Sequence, residues 1–155
     1  MKNILIIGST GQIGTELTMA LRKHSPNGNV VAGYIPAQPP TEMLKETGPC
    51  EIVDITNAQQ IADVVKKYQV DTIYNLAALL SAVAEAKPQL AWQIGMGGLF
   101  NVLEVARETG AAVFTPSSIA AFGPGTVKDM VPQDTVQRPQ TMYGVTKVSG
   151  ELLSD

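Results

Sequence analysis

Tyr143 and Lys147 stand four residues apart in Tyr143-Gly144-Val145-Thr146-Lys147, a spacing that sets two side chains on one face of a helix. An ammonium beside a phenol favours phenolate and fits the tyrosine to take a proton from an alcohol. The same spacing also suits a solvated helix face, so the pair needs companions. Two hydroxyls supply one, because Thr115-Pro116-Ser117-Ser118 ends an apolar run at 112–115. A hydroxyl at a strand end lies at the carboxyl edge of a parallel sheet, where ligands bind.

The second companion is Gly8-Ser9-Thr10-Gly11-Gln12-Ile13-Gly14, directly after Ile4-Leu5-Ile6-Ile7. A buried strand that ends in a glycine turn and opens into a helix is a phosphate-binding corner. Gly8 permits the tight turn, Gly11 lets backbone N–H groups approach a pyrophosphate, and Gly14 lets the helix lie close on the sheet. The helix N-terminus then meets the phosphates with unpaired N–H groups and its positive dipole end. The spacing is G-x-x-G-x-x-G, and a plain strand–helix turn is the competing explanation.

The elements that must position these residues alternate. Strands are expected at 2–7, 29–34, 51–54, 71–75 and 112–115, and helices at 12–23, 42–47, 56–68, 88–108 and from about 142. Ser25-Pro26-Asn27-Gly28 stops the first helix, and His24 sits where a helix C-terminus favours a cation. Thr56-x-x-Gln59 predicts a capping box, Pro88 a first helical turn and Gly110 a helix cap. Gly95, Gly97 and Gly98 inside the fourth long helix cost roughly 2–3 kcal/mol relative to alanine. Alternating strands and helices predict an α/β fold, a doubly wound parallel sheet of about five strands in the order 3-2-1-4-5.

Composition narrows the class. With 155 residues, 45% hydrophobic and 16% charged, the chain is long enough for one domain with a real core. A net charge of −3 argues against a nucleic-acid or anionic-membrane partner. A single cysteine, Cys50, allows no internal disulfide, and a reducing cytoplasm is the expected setting. The run after Met1-Lys2 is too short for a signal peptide, and 73–84 is too short for a membrane span.

Four stretches together resemble the extended short-chain dehydrogenase/reductase family, and within it the L-threonine 3-dehydrogenase branch. They are the glycine corner, Ala77-Ala78-Leu79-Leu80-Ser81-Ala82, Pro116-Ser117-Ser118-Ile119-Ala120-Ala121-Phe122-Gly123-Pro124, and Arg138-Pro139-Gln140-Thr141-Met142 leading into Tyr143–Lys147. The resemblance implies Tyr143 as proton acceptor, Lys147 as its electrostatic partner and ribose ligand, and Ser118 as hydrogen-bond donor to the substrate oxygen. It implies Ser81 beside the substrate. NAD is the implied cofactor, held by Gly8, Thr10, Gly11, Gln12, Ile13, Asp54, Ile55, Leu76, Ala77 and Ala78 together with Tyr143 and Lys147, with Asp54 at the adenine. No metal is implied.

The implied reaction is NAD-dependent oxidation of the L-threonine secondary alcohol to 2-amino-3-oxobutanoate, in a homodimer built on the long and final helices. Trp92, Met96, Leu99 and Leu103 of the first and Val148, Leu152 and Leu153 of the second are expected to stay partly uncovered. Alternatives are a catalytically silent nucleotide-binding or scaffold domain and a sugar-nucleotide epimerase or dehydratase. Members of the family are about twice as long. The chain is therefore expected to be a dinucleotide-binding domain over 1–155 without the substrate-binding half, and weak or inactive alone. The family's acidic residue for the ribose hydroxyls is replaced by Gly33-Tyr34, with no arginine or lysine after it for a 2′-phosphate. Gly95 stands where relatives carry asparagine, and Gln140 where threonine dehydrogenases often have arginine.

Overall fold

The computed structural model describes residues 2–26 and 28–155. Met1 and Asn27, which enter the signal-peptide and turn readings, lie outside the described residues. The chain divides into two compact units, Met1–Ala77 with Gly98–Pro116, and Ala78–Gly97 with Ser117–Asp155.

The first unit holds the sheet. Its strands are β1 (Asn3–Ile7), β2 (Asn29–Tyr34), β3 (Cys50–Ile52), β4 (Thr72–Asn75) and β5 (Ala112–Phe114). All neighbours are parallel, in the order β3-β2-β1-β4-β5. The predicted order is therefore the observed one. Central β1 pairs with β2 through Ile6↔Ala32 and with β4 through Ile6↔Tyr74. Ile4, Leu5, Ile6 and Ile7 are all buried, which explains the unbroken apolar run: a parallel strand covered on both faces has no polar side. The helices of this unit are α1 (Gln12–His24), α2 (Glu42–Thr47), α3 (Ala58–Tyr68) and α6 (Leu99–Thr109). Ile61, Val64 and Val65 of α3 and Leu99, Val102 and Val105 of α6 supply the buried stripes.

Three local readings are corrected. Asn57, not Thr56, caps α3, its side chain accepting the Gln60 N–H at 3.2 Å. Thr56 instead donates its hydroxyl to Asp54 Oδ1 at 2.7 Å, because an Asx turn competes for it before the helix starts. The single long helix expected at 88–108 is α5 (Pro88–Trp92), a π-helical segment Gln93–Gly98 and α6. The wide turn coincides with the three glycines, whose conformational freedom lowers the resistance to unwinding. Finally, Leu99 is only 3% exposed, so it belongs to the core and not to an uncovered face.

The second unit contains α4 (Ser81–Ala86), which sequence patterning did not predict, α5, most of the π segment, a 3₁₀ turn (Ile119–Ala121) and α7 (Met142–Ser154). Its buried positions are small: Ala84, Ala91, Ala121, Gly144, Thr146 and Gly150. Small side chains let backbones approach closely, and that fixes α7.

Candidate functional site

In the first unit, Gly8 has φ +84°, a conformation that L side chains rarely adopt. The N–H groups of Gly8 and Ser9 both donate to the Gly33 carbonyl at 3.1 Å, and Ser9 Oγ donates to the same oxygen at 2.9 Å. The turn is thus anchored on the end of β2. A Cβ at Gly8 would lie 3.0 Å from the backbone at Leu76 and Ala77, so β1 and β4 leave no room there. A Cβ at Gly14 would lie 2.2 Å from the Gly8 carbonyl oxygen, which is the close helix–sheet approach expected of the third glycine.

Gly11 differs. A Cβ there would meet only the Gly8 oxygen, at an ordinary 3.5 Å. Among the described residues, nothing crowds a side chain at this position. Gly11 is also the N-cap of α1 and has no side chain to close the first turn. Gln12 and Ile13 are exposed, Ile13 at 67%. An open helix N-terminus with a bare backbone beside it fits a pyrophosphate. Thr10 is half-buried on the same turn.

Asp54 follows β3 and is exposed; its Oδ1 accepts from the Thr56 N–H at 2.9 Å and from the Thr56 hydroxyl. Ile55 is buried, and its carbonyl accepts from Asn101 Nδ2 at 3.0 Å, so its side chain serves the core. Leu76 and Ala77 leave β4 half-buried against Gly8, with Ala77 N–H donating to Asn75 Oδ1 at 3.3 Å. Tyr34 is half-buried at the end of β2.

In the second unit, α7 is capped by Thr141, whose Oγ1 accepts the Gly144 N–H at 3.0 Å, and by the Glu85 carboxylate, which accepts the Met142 N–H. A Cβ at Gly144 would lie 2.2 Å from the Ala120 carbonyl oxygen, so the helix rests directly on the 3₁₀ turn that Ser118 opens. Tyr143 and Lys147 meet as their spacing predicts, with Nζ 5.4 Å from the ring centroid. Burial pushes the Lys147 ammonium below the ordinary lysine range. Ser118 Oγ accepts the Ala120 N–H at 3.2 Å, which occupies a lone pair and leaves the hydroxyl proton to donate. That is the polarity a substrate-oxygen donor needs.

Ala78 is exposed, and Ser81 is exposed as the first residue of α4. Among the described residues no hydrogen bond joins Ser81 to Ser118 or Tyr143. Gly95 packs on α7, where an added Cβ would sit 3.0 Å from Thr146 Cβ. Glu85 and Glu151, both hydrogen-bonded around α7, went unnoticed in the sequence. Glu151 had a legible signal, being one turn beyond Lys147 on the same face.

A family model described as the NAD dependent epimerase/dehydratase family matches residues 4–155. An uncharacterized epimerase/dehydratase of Staphylococcus saprophyticus is 51% identical over 153 residues, 99% of this chain and 48% of that protein. The X-ray structure of L-threonine dehydrogenase from Clostridium difficile is 54% identical with a TM-score of 0.90, over 99% of this chain and 48% of that one. A GalE-like L-threonine dehydrogenase from Cupriavidus necator, in its holo form, is 43% identical with a TM-score of 0.90, over 97% and 49%. The chain spans about half the length of the curated relatives it matches. With the parallel sheet, the glycine corner and the Tyr143–Lys147 pair in place over the matched length, this chain belongs to the NAD dependent epimerase/dehydratase family.

Proposed function

We propose that this chain carries the cofactor corner and the proton-handling group of an NAD-dependent dehydrogenase that oxidises the secondary alcohol of L-threonine to 2-amino-3-oxobutanoate. The observation that carries the chemistry is the α7 arrangement: a phenol with a half-buried ammonium 5.4 Å from its ring, and a serine whose hydroxyl proton is left to donate. The substrate is supported by the threonine dehydrogenases among the similar structures. Tyr143 takes the hydroxyl proton, the Lys147 ammonium stands beside its ring, and Ser118 Oγ donates to the alcohol oxygen as it becomes a carbonyl. NAD, when bound, supplies the acceptor for the hydride that leaves the carbinol carbon. The α1 N-terminus with Gly8, Thr10, Gly11, Gln12 and Ile13 would hold its pyrophosphate; Leu76, Ala77 and Ala78 would line its path, and Asp54 and Ile55 would flank the adenine. Lys147 would reach the ribose, and Ser81 would border the substrate.

Calorimetric titration with NAD, beside an assay of NADH formation from L-threonine, tests this reading. Turnover that Tyr143→Phe abolishes supports it. Nucleotide binding without turnover favours the second reading, a silent nucleotide-binding domain, for which a tyrosine, Tyr34, at the end of β2 is the supporting observation. Absence of any nucleotide heat overturns both.

A further inference from the structure

We propose that Glu151 is a positioning residue for the Ser118 hydroxyl. This rests on the assignment of Ser118 as the donor to the substrate oxygen. The Glu151 carboxylate collects two neutral donors from separate stretches of chain. Ser117 Oγ donates to Oε1, and Gln137 Nε2 donates to Oε2 at 2.7 Å. These partners are 34 and 14 residues away in sequence, so the carboxylate ties the segment before the 3₁₀ turn and the loop before α7 to one point on the helix.

The effect reaches Ser118 through the backbone. Ser118 is extended, with φ −158° and ψ 153°, so its side chain and that of Ser117 point to opposite sides of the chain. Holding the Ser117 hydroxyl on α7 therefore aims Ser118 Oγ away from it. The far end of the same turn is fixed by the Ala120 carbonyl lying on Gly144. Hydrogen bonds to an ionised carboxylate are roughly twice as strong as neutral ones, which suits a clamp made by an exposed serine. The carboxyl is held below the ordinary glutamate range by the Ser117 hydroxyl first and the Gln137 amide second, so it stays an acceptor at neutral pH. Glu151 lies four residues after Lys147 and eight after Tyr143, and one face of α7 thus carries the base, its cation and the clamp.

The test is amide hydrogen exchange by NMR on the 155-residue protein, read at Ala120, whose N–H is bonded to Ser118 Oγ. Glu151→Ala should speed exchange at Ala120 by about tenfold, while the Thr146 and Gly150 amides inside α7 keep their protection. Ser117→Ala, at an exposed position that leaves the helix intact, should reproduce the effect, and the double variant should add nothing. Glu151→Gln keeps one acceptor oxygen and should fall between. Unchanged Ala120 exchange in both single variants, or loss of protection throughout α7, would overturn the proposal. In any turnover the chain shows, kcat should fall in Glu151→Ala with NAD affinity and threonine KM unchanged. Ser118→Ala separates the two levels: if it leaves turnover intact, the role of Ser118 fails, whereas the exchange experiment still judges the clamp.

Discussion

A Cβ at Gly14 would sit 2.2 Å from the Gly8 carbonyl, whereas one at Gly11 would meet the same oxygen at 3.5 Å. The two glycines therefore predict opposite phenotypes. Gly14→Ala should destabilise the fold by about 2 kcal/mol or more, because backbone must move to relieve the overlap, and thermal unfolding will show it. Gly11→Val should fold with nearly parental stability, since a Cβ there meets only an ordinary contact, yet lose NAD binding under the proposed placement of the pyrophosphate on this turn; parental affinity in that variant would remove the corner from the cofactor site. Tyr34 is the other residue with a clear outcome. A carboxylate accepts from both hydroxyls of a ribose, which a phenol matches poorly. Tyr34→Asp should tighten NAD by about tenfold, ~1.4 kcal/mol, and calorimetry showing equal or weaker binding would place residue 34 away from the ribose.

Among elements, α3 is held at both ends by contacts that can be tested separately. Asn57→Ala removes the cap of α3 and should cost about 1 kcal/mol, while Thr56→Ala, outside the helix, should cost less than half as much in the same denaturant titration. At the other end, Glu51 of β3 accepts from Lys67 Nζ and from the Tyr68 hydroxyl, both at 2.6 Å. The Lys67 hydrogen bond first, then that of Tyr68, holds the Glu51 carboxyl below the ordinary glutamate range. A lowered folded value means the contribution is fully present above the ordinary range and disappears as pH falls through the folded one. The stability gap between the parent and Glu51→Gln should thus be constant near neutrality and close in acid; a gap that widens on acidification would contradict the ion pair.

For the whole molecule, the outer faces of α5 and α7 raise the question of assembly. Trp92 is 47% exposed and Leu152 71%, and Pro88, Gln89, Trp92, Gln93 and Met142 line an open groove of about 370 Å³. A two-fold pair would cover these exposed apolar side chains, the same patch serving both copies. Sedimentation should find a dimer at micromolar concentrations, with Trp92→Glu shifting it to monomer; a parent that stays monomeric at high micromolar concentration would refute the pairing. Among the described residues, no helix is long and apolar enough to cross a membrane.

Ile4–Ile7 and the glycines after them were legible without coordinates because their causes are local. A strand buried on both faces must be apolar throughout, and a turn with positive φ selects glycine. The same holds for Tyr143 and Lys147, which helical periodicity alone brings together. The strand order followed from the right-handed crossovers that parallel strands require. Other features were decided by competition between neighbouring groups or by partners far away in sequence. Whether Thr56 or Asn57 caps α3 turned on a competing bond to Asp54, and the π segment at Gln93–Gly98 departs from the single α-helix that periodicity suggests. Leu99 looked like part of an outer face until α6 was seen against the sheet. Glu151 shows the division most plainly. Its place on the Tyr143–Lys147 face is a matter of spacing, but its partners Ser117 and Gln137 are joined to it only by the folded chain, since hydrogen bonds across 34 and 14 residues leave no periodic trace in the sequence.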